Sequence, residues 1–120
     1  MTVDHKNPSE IVQIAKHGRG WAKMITEQEL LELYKLSAEN GVIVDGIEPF
    51  NIEGDLEIPY VHLTLNSNEI HESLSHLNWT EKISEMGRII ETMLAEAAKS
   101  GGEFRFNAWV SKEEYWVPKG

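Results

Sequence analysis

Five histidines are the side chains best suited to proton or metal chemistry near neutral pH: His5, His17, His62, His71 and His76. A metal site needs ligands that converge, and on a helix residues three or four apart do so. His71 and His76 are five apart and fall on different sides of a helix. Glu72 and His76 are four apart and could share an ion, with His62 joining from a nearby strand. Solvated polar residues are the simpler account, so neither a metal nor a cofactor is expected. With 20 acidic residues, two carboxylates within reach of each other are commonplace, and such a pair does not by itself indicate acid–base catalysis. The chain has no Gly-x-Ser-x-Gly, no Walker loop, no dinucleotide glycine fingerprint and no His-Glu-x-x-His. Gly18-Arg19-Gly20 is too short for a phosphate loop and reads as a hinge. Cysteine is absent, which excludes disulfides, thiolate ligands and cysteine nucleophiles together. The chain is therefore expected not to be an enzyme.

Charge is the feature with more content. The net charge is −9, and all of it comes from one interval. Between Lys35 and Lys82 there is no lysine or arginine, but there are nine acids: Glu39, Asp45, Glu48, Glu53, Asp55, Glu57, Glu69, Glu72 and Glu81. Such a field bears on partners and encounter rates rather than on fold. It disfavours nucleic acid and anionic membranes, which need clustered Lys and Arg. No apolar run approaches the ~20 residues of a membrane span. Met1 to Glu10 is polar and lacks the apolar stretch of a secretory signal, so a cytoplasmic location is expected.

The elements that must position these residues can be read from capping and periodicity. A chain of 120 residues is expected to form a single domain over 1–120. Asn7-Pro8-Ser9-Glu10 opens a helix over about 8–17, and the capping box Thr26-Glu27-Gln28-Glu29 opens another over about 26–39. A hairpin is expected over about 42–65, turning at Glu53-Gly54-Asp55. With a three-residue loop, Ile52 faces Leu56, Phe50 faces Ile58, and Pro49 lies opposite Pro59. The apolar residues on the two sides of the prolines then have opposite parity. A bulge or sharp twist near Pro49 and Pro59 is needed to bring them to one core. Proline lacks a ladder donor, so at least one of these strands is expected at a sheet edge.

Ser67 to Leu77 is a further helix candidate. Trp79, Ile83, Met86, Ile89, Ile90, Met93, Leu94 and Ala97 trace one helical stripe over about 79–99. Glu103 to Val110 then alternates as a strand over about 103–110, with Phe104, Phe106, Ala108 and Val110 on one face and Arg105, Asn107 and Trp109 on the other. The order argues for an α+β fold, a small antiparallel sheet packed against helices.

Within this frame the unusual part of the acidic interval is Asp45 to Glu57, where Asp45, Glu48, Glu53, Asp55 and Glu57 crowd a proline-kinked hairpin whose prolines point to a sheet edge. Along an extended strand Asp55 and Glu57 lie on one side about 7 Å apart, inside the screening length of ~8 Å at physiological salt. No base in the interval relieves them, and a basic partner could. Tyr60, Trp109 and Trp116 are aromatic neighbours of the kind that anchor interfaces. A tail folded back over Trp109 is the competing account for Trp109 and Trp116.

Gly20-Trp21-Ala22, then a capped helix, then Glu39-Asn40-Gly41-Val42-Ile43-Val44-Asp45-Gly46 resembles small immunity proteins of bacterial toxin systems. The resemblance covers about residues 20–46. It implies a protein that neutralises the toxin encoded beside it by tight binding. The expected partner is a cognate, basic toxin domain, with a nuclease as one candidate. The expected contacts are Asp45, Glu48, Glu53, Asp55, Glu57, Tyr60, Trp109 and Trp116, in a monomer or weak dimer. The alternatives are a small enzyme using His62, His71 or His76 with a glutamate, with or without a metal ion, and an acidic secretion chaperone.

Overall fold

The computed structural model describes residues 24–115. The expected helix over 8–17, the Gly18-Arg19-Gly20 hinge, His5, His17 and Trp116 lie outside the described residues. Within them run helix α1 (Glu27–Glu39), strand β1 (Val42–Glu53), strand β2 (Leu56–Pro59), a 3-10 turn (Val61–Leu63), helix α2 (Ser67–Ser73), helix α3 (Trp79–Lys99), strand β3 (Glu103–Lys112) and a 3-10 turn at Glu113–Tyr115. The three strands form an antiparallel sheet in the order β2-β1-β3, giving an α+β fold.

Both long helices begin where the sequence caps them. The Thr26 hydroxyl accepts from the Glu29 amide at 3.1 Å, and the Glu29 carboxylate accepts from the Thr26 amide at 2.9 Å. Asn78 and Glu81 make the same reciprocal pair at 2.9 and 3.0 Å. Each pair satisfies two amides that a helix start would otherwise leave open. The buried face of α3 is Trp79, Ile83, Met86, Ile90, Met93, Leu94 and Ala97, with Ile89 half-buried. From α1, Leu30 and Leu33 meet it, and the sheet adds Val44, Ile47, Phe106, Ala108 and Val110. Trp79 Nε1 donates to the Gly41 carbonyl at 2.8 Å, pinning the start of α3 to the turn between α1 and β1.

The hairpin departs from the expected register by one residue. Glu53 pairs with Leu56, Ile52 with Glu57, Asn51 with Ile58 and Phe50 with Pro59. The turn has two residues, not three, because Gly54 takes a φ of 61°, the left-handed backbone that two-residue hairpins need. A one-residue slip moves every β2 side chain to the other face. Leu56 and Ile58 therefore share a face with Asn51 and Glu53, while Phe50 and Ile52 share the opposite one with Glu57 and Pro59. Neither face of the tip is cleanly apolar, and Leu56 and Ile58 are left exposed.

The bulge is present but is not at the prolines. Val44 pairs with Val110 and Gly46 with Trp109, so Asp45 is the extra residue in β1. Ahead of the bulge Val42 and Val44 face the core, and beyond it Ile47 and Pro49 do. Ile43, expected on the core face with Ile47, lies on the opposite face and is buried nonetheless.

Pro49 has a separate consequence. It sits in the central strand, where its carbonyl accepts from the Tyr60 amide at 2.9 Å but it has no proton to return. The Tyr60 carbonyl accepts from the Leu63 amide at 3.1 Å instead, which starts the 3-10 turn. Leu56 to Leu65, expected as one strand, is thus interrupted. Pairing resumes only at Leu65, which exchanges both backbone bonds with Ile47 at 2.8 and 3.0 Å.

Helices α1 and α3 are in contact at Tyr34 and Gly87. The Tyr34 hydroxyl donates to the Ile83 carbonyl at 2.8 Å, and burial, with a smaller contribution from the Glu91 carboxylate, raises its pKa above the usual value. A Cβ placed on Gly87 would stand 2.6 Å from that hydroxyl and 2.8 Å from the ring carbon bearing it. Gly87→Ala should therefore destabilise the protein. Overpacking costs about 1–3 kcal/mol, more than the ~1 kcal/mol that alanine gains in a helix. Thermal unfolding should show a Tm lower by several degrees; an unchanged or higher Tm would mean that Tyr34 yields without cost.

Candidate functional site

The three described histidines do not converge. His62 is exposed in the 3-10 turn, and its ring lies 4.2 Å from that of Tyr60. His76 is exposed after α2, and Glu72 is exposed on α2. Among the described residues no three His, Asp or Glu side chains gather closely enough to hold a metal ion.

His71 is buried and meets an acid that the sequence assigns to the surface. Its Nε2 lies 2.9 Å from Asp45 Oδ2, and the two side chains are 7% and 1% exposed. The bulge explains this. As the extra residue of β1, Asp45 leaves the regular alternation, and its carboxylate meets α2. The His71 ring stacks on Trp79, with centroids 6.0 Å apart and planes 17° apart, and Lys82 Nζ lies 6.0 Å above the same indole. Asp45 Oδ1 is buried with no hydrogen-bond partner among the described residues. Asp45 is thus removed from the set of surface contacts; it anchors the short helix α2 to the sheet. The position of the bulge does not show in the sequence, because parity requires a slip without locating it.

The remaining hairpin acids face solvent. Glu53, Asp55 and Glu57 are exposed and Glu48 is half-buried. Asp55 belongs to the two-residue turn rather than to the strand. By register, Glu57, Ile52 and Glu103 form one row across the sheet, and Glu48 and Asn107 another, on the face away from the core. Glu103 belongs to this acidic face and lies outside the acid-only interval, so a scan for charge runs passes over it; strand alternation finds it. Arg105 is the one base with a register position on this face among the described residues, and Glu103 holds it at 3.1 Å.

The aromatics are partly committed inside the fold. Tyr60 is half-buried and packs edge-on to Phe104 at 5.1 Å and 75°. Trp109 is half-buried, and its side chain closes on Gly46, where an added Cβ would stand 3.3 Å from the ring. The apolar surface not anticipated from the sequence is Leu56, Ile58 and Val61, exposed at 63%, 39% and 73%. Leu56 and Ile58 are on the same hairpin as the acids, and Val61 follows in the 3-10 turn. An open groove of about 380 Å³ lies between residues 62–65 and α3, with Leu63, Leu65, Ile89 and Met93 among its apolar walls and Glu85, Arg88 and Glu96 among its charged ones.

No helix among the described residues is long and apolar enough to cross a membrane. No protein-family model, curated protein or solved structure matches the chain.

The buried pair has a measurable consequence. His71→Leu leaves the Asp45 carboxyl buried without its imidazole, a loss on the order of 3 kcal/mol. In an Asp45→Asn background the same change should cost about half as much or less. Equal losses in the two backgrounds, measured by denaturant unfolding, would show that the two side chains are not coupled.

Proposed function

We propose that this chain is a toxin-neutralising immunity protein that binds a cognate basic toxin domain, in the cytoplasm of the cell that makes both. The observation that carries the reading is the tip of the hairpin. Four acids, Glu48, Glu53, Asp55 and Glu57, share the hairpin with the exposed Leu56 and Ile58, the exposed Val61 follows in the 3-10 turn, and the chain has no lysine or arginine from Leu36 to Glu81. An isolated surface charge is usually just solvated, and scattered exposed apolar residues need no explanation. Here both occur on one short hairpin, Glu53 on the face of Leu56 and Ile58 and Glu48 and Glu57 on the opposite face, so a partner that grips the hairpin meets apolar and acidic surface together.

The two parts have separate roles. Uncompensated acids raise the rate of encounter with a positively charged domain, and a nuclease is positively charged wherever it grips phosphate. Leu56, Ile58 and Val61 then lose water on contact and slow dissociation. Tyr60 and Trp109 contribute only the edges that the core leaves open. The same acids oppose pairing of two copies, consistent with a monomer or weak dimer.

The partner should be found by purifying the tagged protein from its host and co-expressing whatever accompanies it in stoichiometric amount. The expected partner arrests growth when expressed alone and is tolerated with this protein. Recovery of abundant housekeeping proteins only, or of a harmless partner, would contradict the reading. With the partner in hand, Asp55→Lys/Glu57→Lys should slow association by about tenfold or more at low salt, the difference shrinking as salt rises. Association rates that do not respond to the charge reversal or to salt would remove the acidic surface from the mechanism.

A further inference from the structure

The hairpin reading leaves open what part of a partner it grips. We infer that the outer edge of β2 receives an extended strand from the partner, one that alternates basic and apolar residues. This rests on the function proposed above only for the partner's identity; the strand-binding edge can be tested without it.

The geometry begins with Tyr60. Its amide donates inward to Pro49, and main-chain groups in an antiparallel strand alternate between inward and outward. Leu56, Ile58 and Tyr60 thus direct their amides and carbonyls toward β1, and Glu57 and Pro59 direct theirs away from it. Among the described residues no strand pairs with that outer side, since β2 ends the sheet order. The edge therefore presents the Glu57 N–H, the Glu57 carbonyl and the Pro59 carbonyl; Pro59 has no second donor to offer. One residue of an incoming strand can exchange both bonds with Glu57, and the next outward carbonyl can accept one more.

Side chains set the chemistry of that strand. The residue opposite Glu57 lies on the same face as Glu57, Ile52 and Glu103, so a lysine or arginine fits there. Its two neighbours point to the other face, beside Leu56 and Ile58, which are exposed. The matching segment reads apolar-basic-apolar. A second copy of β2 does not fit. Antiparallel pairing centred on Glu57 sets two glutamates opposite each other, which is destabilising. Edge acids of this kind discourage self-association while leaving a basic strand acceptable.

The probe is a capped seven-residue peptide alternating valine and arginine, compared with a peptide of the same composition whose arginines and valines are in two blocks. Titration of isotope-labelled protein should show the alternating peptide binding about tenfold more tightly, with slowed exchange of the Glu57 amide. Glu57→Pro removes the outward donor at a position that makes no ladder bond to β1, so the hairpin retains its own bonds. Glu57→Gln keeps the donor and removes the charge. Glu57→Pro should weaken the alternating peptide about tenfold beyond Glu57→Gln. Leu56→Thr/Ile58→Thr, which keeps every main-chain group, should weaken it by removing the apolar face. Equal binding of the two peptides, equal effects of Glu57→Pro and Glu57→Gln in folded protein, or no binding of either peptide would overturn the inference. A co-expressed partner that proves harmless, with peptide binding intact, would overturn the toxin reading and leave the strand site standing.

Discussion

Pro49 has no amide proton to give, and it stands in the central strand of the sheet. That single missing donor determines how the hairpin ends. Opposite it the Tyr60 carbonyl turns to Leu63, the chain coils into a 3-10 turn, and β2 stops after four residues. On the β3 side Pro49 pairs with Phe106, whose backbone bonds point away from it to Ile25 at 2.8 Å, so no donor is missed there. The proline is tolerated in a central strand because the neighbour that needed its proton departs. The short exposed β2 follows from that departure, and with it the acidic and apolar tip.

The bulge at Asp45 is the second constraint, and it acts on the other half of β1. Without an extra residue, Val42 and Val44 could not share the core face with Ile47 and Pro49. The cost is a carboxyl directed into the protein, where His71 meets it from a helix of only seven residues. A helix that short is marginal alone, so α2 depends on Ile70, Leu74 and this polar contact to stay in place. Two irregularities four positions apart on one strand, Asp45 and Pro49, thus divide it. One end is an inward-facing anchor, and the other is an outward-facing ribbon.

Much of this was legible in the sequence. The capping box at Thr26 placed the start of α1, and the stripe from Trp79 to Ala97 placed α3 and its face against the core, because caps and periodicity are local. Strand alternation placed β3. The need for a bulge was legible from the parity of the apolar residues, but its position was not, since parity records only that a slip occurs somewhere. The turn was misjudged by one residue, as Glu53-Gly54-Asp55 suits a loop of three as well as of two, and that residue decides which face Leu56 and Ile58 occupy. Asp45 was misassigned to the surface for the same reason: burial of an acid depends on a partner 26 residues away, and nothing local announces His71.

The central claim is that the register of the hairpin leaves the backbone of Glu57 open on the outer edge of β2. Amide hydrogen exchange on the free protein tests it most directly. The account predicts that the Glu57 amide exchanges at close to the rate of an unstructured peptide, while that of Ile58, directed toward β1, exchanges at least about tenfold more slowly. Protection of Glu57 with rapid exchange of Ile58 would contradict it, for the register would then be the opposite one and the edge would already be closed.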